Sequence, residues 1–354
     1  MSILFSSLQL KHIHLKNRLV VSPMCQYSAI NGFANNWHLV HLGQFATGGA
    51  AAVIQEATAV SPEGRISASD LGIWKDEHIE KLKEITTFIK ENDAVPGIQL
   101  AHAGRKASAG KPWVDHHQIA PDEENGWQSL APSAIAFNPE RENAPIAMSL
   151  EEIQKTVFSF QQATKRAINA GYEIIEIHAA HGYLIHQFLS PLSNNRIDEY
   201  GGSFENRARF LYEIVQAIKK ELTTQSLWVR ISATDWADGG WDLEQSIKLA
   251  KELKKLDVEV IDVSSGGAVY HQKIKVEKDY QLPFAAAIKK EVEIITATVG
   301  LIREADHAEE ILKDGKSDII MIARAFLKNP HLPFHFAEQL ADNIKWPSQY
   351  ERAK

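Results

Sequence analysis

Read only for apolar and polar positions, the chain alternates short β-branched apolar runs with longer stretches whose apolar residues recur at helical spacing, with charges between them. The pattern predicts strands at 19–24, 52–57, 97–102, 173–178, 228–233, 258–264, 293–298 and 318–323. Helices are predicted between and after them, among others at 76–92, 150–170, 203–222, 243–256, 304–313 and 332–343. The strand runs read as apolar throughout, as expected when helices cover one side of a parallel sheet and packed side chains fill the other. Eight βα units in order specify an α/β fold of the (β/α)8, or TIM, barrel type more readily than an open doubly wound sheet.

No linker divides the 354 residues, so one domain over 1–354 is expected. The longest interruption, 103–149, is rich in Gly, Pro, Ser, Asn and charges and reads as a long loop after the third strand, on the face where such loops shape sites. Segment 9–16, in which Leu10, His12, His14 and Lys16 alternate with other residues, reads as an N-terminal hairpin closing the bottom of the barrel.

Composition narrows the chemistry. A 44% hydrophobic and 23% charged chain is ordinarily globular, and a net charge of -7 without any Lys/Arg block argues against nucleic-acid and anionic-membrane partners. Cys25 stands alone, which excludes a disulfide within the chain, an all-cysteine zinc site and a four-cysteine iron–sulfur cluster. No apolar run approaches a membrane span, and the first eighteen residues lack the apolar core of a secretory signal. A cytoplasmic enzyme acting on small molecules is the expectation.

In barrels the chemistry sits where strands end, and here those positions are polar. The first strand runs into Ser22, Pro23, Met24, Cys25 and Tyr27, the second into Ala57, and the third carries Gln99. The last three strands end at Ser264–Gly267, Gly300, and Ala323 with Arg324, a pattern suited to phosphate because glycines expose backbone N–H groups and arginine adds a fork of donors. Tight turns and an Arg324–carboxylate pair would leave the same trace. No G-x-G-x-x-G follows a strand, so a mononucleotide fits better than a dinucleotide on a Rossmann unit.

His178 stands at the mouth of the fourth strand, where a turn of helix-like chain would bring His181 alongside, giving two donors on one oxygen with Tyr183 in reach as proton donor. A structural or a zinc role is the alternative, but no third ligand has predictable spacing, and His12 and His14 lie at the wrong end of a barrel for a metal hydrolase. Gln99 and Arg230 could hold a heterocycle, Arg230 being suited to a developing negative charge. Arg230 could equally pair with Asp235 or Glu176.

Together these residues resemble the Old Yellow Enzyme family of flavin-dependent ene-reductases, and within it the cysteine-bearing, thermophilic-like subgroup of xenobiotic reductases and NADPH dehydrogenases. The landmarks are KNRLVVSPMCQY from Lys16, IQEATAV from Ile54, IQLAHAGRKAS from Ile98, IEIHAAHGYLIHQFLSPLSNNRIDEYGGSFENRARF from Ile175, and MIARAFLKNP from Met321. The resemblance implies non-covalent FMN above the carboxyl face, with NADPH or NADH as electron donor. Ser22, Pro23, Met24 and Cys25 would line the flavin, Cys25 tuning its potential. Ala57 and Gln99 would bind its pyrimidine side, Arg230 its N1 region, and Gly300, Ala323 and Arg324 its phosphate. His178 and His181 would bind the carbonyl oxygen of an enone with Tyr27 nearby, and Tyr183 would protonate the α-carbon, in a ping-pong cycle sharing one pocket between both half-reactions. Reduction of nitro compounds is left open.

Two residues depart from the family pattern: Ala323 stands where a glycine is common, and Leu301 where some relatives carry a bulky aromatic. Gln349, Tyr350, Glu351 and Arg352 resemble a tail that reaches a neighbouring subunit's active site, which implies a homodimer or homotetramer with Arg352 at the partner's substrate.

Overall fold

The computed structural model describes residues 2–114 and 117–354. Eight parallel strands close on one another in chain order: β1 (Leu19–Val21), β2 (Ala52–Ala59), β3 (Val95–Ala101), β4 (Ile174–Ala179), β5 (Ser226–Ser232), β6 (Val260–Ser264), β7 (Ile295–Thr298) and β8 (Ile319–Ile322), the last pairing with the first. Around them lie α1 (Asn36–Thr47), α2 (Ile79–Glu91), α3 (Leu150–Asn169), α4 (Phe204–Lys219), α5 (Leu243–Lys255), α6 (Leu282–Val292), α7 (Ala305–Lys313) and α8 (Leu332–Gln339). This is the expected (β/α)8 barrel. Among the described residues no helix is long and apolar enough to cross a membrane.

The apolar pattern did not single out α1 and α6. His38 and His41 read as polar yet are buried in α1, and α6 is apolar at most positions, so neither shows a clean polar face. The strand predicted at 293–298 begins at Ile295, because Glu293 caps α6 in the left-handed conformation (φ 54°). Helix starts follow ordinary capping chemistry: Ser149 and Glu152 form a reciprocal capping box at α3, and Asp242 caps α5.

Strand residues divide by parity between two cores. Ile175, Ile177, Val229, Ile231, Ile261 and Val263 pack outward against the helices. Ile174, Trp228, Val260, Ala297 and Met321 point inward and form a floor with Leu10, Ile13 and Leu15. Those last three belong to the hairpin of Leu8–Gln9 and His14–Leu15, which closes the bottom as expected. The strands are not apolar throughout. Going up the inner face, β4 reads Ile174, Glu176, His178, β5 reads Trp228, Arg230, Ser232, and β6 reads Val260, Asp262, Ser264. Side chains alternate sides along a strand, so each of these strands presents an apolar foot and two polar steps to the interior.

Candidate active site

After β4 the chain turns through His181 and Gly182, both left-handed (φ 58° and 72°), into the short helix Leu184–Leu189 with Tyr183 at its N-cap. The helix-like turn expected after His178 is therefore a left-handed one, and it brings the same three side chains together. His178 lies edge-on to His181 at 5.2 Å between ring centroids and to Tyr183 at 4.9 Å. The turn is held from two sides: the N–H of His181 donates to Ser232 Oγ (2.9 Å) and the N–H of Gly182 to His186 Nδ1 (2.8 Å). Gly182 admits no side chain, because a Cβ there would stand 1.9 Å from the carbonyl oxygen of Gly267 in the loop after β6.

Both imidazoles are neutral, since burial and then the positive charge of Arg230 push their pKa values well below the usual histidine range. His178 Nδ1 accepts the N–H of Ala180 (3.3 Å), which leaves its proton on Nε2. His181 Nε2 pairs with Ser264 Oγ at 2.7 Å. Burial also raises the Tyr183 phenol, keeping it a protonated donor.

Lys106, in the loop after β3, escaped the sequence reading. Its Nζ donates to the carbonyls of His181 (2.8 Å) and Gly267 (2.6 Å), joining the two loops beside the histidines. Burial and the neighbouring Arg105 lower its pKa to about 7. Arg105 is itself buried, donating to the carbonyls of Ile135 and Ala268 and so tying the long 103–149 loop to the barrel rim.

The loop after β1 supplies the opposite wall. Ser22 is buried and accepts from Arg230 Nη1 (3.1 Å), while Pro23, Met24, Cys25 and Tyr27 are half-buried. Tyr27 is left-handed (φ 49°) and meets Trp113 edge-on at 5.7 Å. Burial and the buried carboxyls Glu56 and Asp70 raise the Cys25 thiol, so it sits here as a neutral thiol, with the Ala57 N–H and the Tyr27 hydroxyl as partners. A register shift in β2 between Gln55 and Ala57 turns Glu56 toward this loop, where it accepts the N–H of Gln26 (2.8 Å).

Beneath both walls Gln99 Nε2 donates to Glu176 Oε1 (2.7 Å), and Arg230 Nε lies 3.2 Å from Asp262 Oδ2. Arg230's carboxylate partner is thus Asp262 rather than Asp235, which pairs with His186 at 2.8 Å. Asp262 escaped the sequence reading, and the signal that could have found it is parity: a charged residue at an inward position of an otherwise apolar strand, as Glu176 is on β4.

A cavity of about 180 Å³ opens from Arg230 and Ser264 and reaches Gly300, Leu301, Ala323, Arg324 and, unforeseen, Tyr280, Gln281 and Arg303. Gly300 (φ 127°) leaves room that a Cβ would fill 2.9 Å from Gln281 Nε2. Backbone glycine, two exposed arginines and Tyr280 at one end, with Arg230 and Ser264 at the other, suit the phosphate and polar ring of a mononucleotide such as FMN. Arg352 is not brought to this site. It is exposed in the turn Ser348–Ala353, and the tail before it lies along Lys16, Thr47 and Asp93 at the opposite end of the barrel.

A parallel barrel with a mononucleotide cradle after its last strands and neutral hydrogen-bond donors above defines a flavin-dependent oxidoreductase. The chain belongs to the NADH:flavin oxidoreductase / NADH oxidase family, the Old Yellow Enzyme family, whose model matches residues 3–343. It is 46% identical to a NADPH dehydrogenase of Geobacillus sp. over 99% of this chain and 98% of that one. With a NADPH dehydrogenase of Bacillus cytotoxicus it shares 47%, over 99% and 96%. Morphinone reductase superposes with a TM-score of 0.79 at 26% identity, covering 98% of this chain and 92% of that one. The protein is an NAD(P)H dehydrogenase of Old Yellow Enzyme type, with FMN as cofactor.

Proposed function

We propose that the enzyme is an ene-reductase, reducing the activated C=C bond of α,β-unsaturated carbonyl compounds in a ping-pong cycle whose two half-reactions share one pocket. The observation that carries this reading is the convergence of two neutral imidazoles and one protonated phenol at the end of β4. FMN, when bound, supplies the two-electron carrier between the nicotinamide donor and the alkene. Gln99, Ala57, Ser22, Pro23, Met24 and Arg230 would hold its ring system, Cys25 would stand at its edge, and Gly300, Ala323 and Arg324 would hold its phosphate.

The chain's own groups then have distinct tasks. His178 offers Nε2–H to a carbonyl oxygen, and His181, held through Nε2 at Ser264 Oγ, stands beside it as the second imidazole at that oxygen. Donors already aimed at an oxygen that gains charge during reaction stabilise that charge as it develops. Tyr183 gives its phenolic proton to the α-carbon, with Tyr27, edge-on to Trp113, nearby. We assign Arg352 to the substrate site of a neighbouring subunit in a homodimer or homotetramer, a reading supported by its exposure away from its own site.

The test is the visible spectrum of the purified protein under anaerobic conditions. Its flavin band is expected to bleach with NADPH and return with cyclohexenone. A band that bleaches but does not return with any enone would overturn the ene-reductase reading while leaving the dehydrogenase intact.

A further inference from the structure

At mid-height in the barrel, β3 to β6 turn Gln99, Glu176, Arg230 and Asp262 into the interior, none more than 5% exposed. Below them lies the dry layer of Ile174, Trp228 and Val260. Gln99 supplies Glu176 Oε1 with a donor, and Arg230 faces Asp262 Oδ2. The two carboxyls are themselves within hydrogen-bonding reach of each other.

Two carboxylates against one guanidinium would leave a net negative charge among side chains no more than 5% exposed, which is costly for buried ions. The donor count leads to the same place. With both carboxyls ionised, Glu176 Oε2 and both oxygens of Asp262 are buried without a hydrogen-bond partner, as is Arg230 Nε. One proton placed on Glu176 and directed at Asp262 gives Glu176 Oε2 and one Asp262 oxygen a partner, leaving the charge of Asp262 opposite Arg230. The proton belongs on Glu176 because Asp262 is the carboxyl facing the cation.

We propose that Glu176 is a neutral acid whose proton is held against Asp262, and that Gln99, Glu176, Asp262 and Arg230 form an electrically neutral positioning unit. This unit fixes the Arg230 guanidinium and the share of its charge that reaches FMN. Neither carboxyl touches the cofactor; both act through Gln99 and Arg230. The inference rests on the placement of Arg230 at the cofactor, and the experiment separates the two.

Infrared spectra of the holoenzyme are expected to contain a protonated-carboxyl C=O band that is lost in Glu176→Gln. Glutamine keeps a donor toward Asp262 and an acceptor for Gln99 without changing charge, so the FMN midpoint potential stays where it was. Asp262→Asn removes the charge opposite Arg230, and the preference for reduced over oxidised FMN is expected to rise at least tenfold, about 30 mV for a two-electron couple. If no band is lost in Glu176→Gln, or that variant shifts the potential as far as Asp262→Asn, the proton assignment is overturned. Failure of Glu176→Gln to fold overturns it as well, because the proposal makes that exchange conservative. Band loss with a potential unmoved in Asp262→Asn overturns the cofactor role and the placement of Arg230, and leaves the proton where it was assigned.

Discussion

The imidazole of His186 meets the carboxylate of Asp235 at 2.8 Å with neither side chain exposed, joining the helix after β4 to the loop after β5. Because His186 Nδ1 accepts the N–H of Gly182, its proton sits on Nε2 and points at Asp235. The same carboxylate accepts from Ser190 Oγ (2.6 Å) and from the N–H of Trp241 (2.8 Å). Burial works to raise the Asp235 pKa, but His186 and these donors outweigh it, and the net displacement is downward. Asp235→Ala leaves three buried donors unpaired and is expected to cost about 3–5 kcal/mol in denaturant unfolding of the holoenzyme. A carboxyl lowered on folding contributes stability above its ordinary value and loses it below. The advantage of wild type over Asp235→Asn should therefore shrink as pH falls through and below 3.8, the ordinary aspartate value.

Tyr183 makes no side-chain cap hydrogen bond to its own helix, so its hydroxyl takes no part in holding that helix start. In Tyr183→Phe, flavin bleaching by NADPH in a stopped-flow instrument is expected at the wild-type rate. Reoxidation by cyclohexenone should slow by about 10²–10⁴-fold, the usual worth of a positioned proton donor. Equal slowing of both half-reactions would remove the proton-donor role.

Asp70 sits behind Tyr183, lining a small cavity with it, and accepts from Ser67 Oγ and the N–H of Ile66 at 2.7 Å each. Burial lifts its pKa from 3.8 to about 6 in spite of those donors. A carboxyl raised on folding binds more protons folded than unfolded, so its stabilising contribution is complete below 3.8 and is lost as pH rises through about 6. Asp70→Asn does not titrate. Measured against that variant, wild type is expected to lose about 3 kcal/mol in urea unfolding from well below the lower of those pH values to well above the higher. A pH-independent difference would show that the carboxyl is not raised.

Gly300 adopts φ 127°, and a Cβ there would meet Gln281 Nε2 at 2.9 Å and the Tyr280 ring at 3.1 Å. Gly300→Ala has to move one of them or distort the backbone, at a cost of about 1–3 kcal/mol. FMN titration of the apoprotein should show a Kd raised about tenfold or more. An unchanged Kd would mean the phosphate end of the cradle lies elsewhere.

The sequence displayed the barrel because parallel strands buried on both sides leave compact apolar runs between amphipathic helices, and it displayed His178, His181 and Tyr183 because they crowd one strand end. Asp262 stayed hidden, and Glu176 was legible only as one possible partner of Arg230: each is a charge inside an apolar run, and strand parity shows that both face the same interior as Arg230. Lys106 and Arg105 were visible as residues, but their partners lie 75 and 163 positions away in sequence, at His181 and Ala268, and loop packing fixes those contacts. The left-handed turn at His181 was equally illegible, since a histidine there announces no φ.

The proposed neighbouring-subunit role rests on Arg352. Its own chain leaves it exposed, while Phe334 stacks on Trp346 at 4.3 Å and His331 meets Tyr350 at 5.3 Å, so the tail is anchored just before the arginine. An anchored stem with a free cation at its tip suits delivery of that charge to a neighbour at little ordering cost. Arg352→Ala should leave thermal unfolding within about 0.5 kcal/mol of wild type, as for an exposed side chain. It should raise the enone KM several-fold with less effect on kcat, because a rim cation contributes mainly to binding. Sedimentation should show a dimer or tetramer for both proteins. A monomeric wild type whose Arg352→Ala variant is kinetically silent would return the active site wholly to one chain.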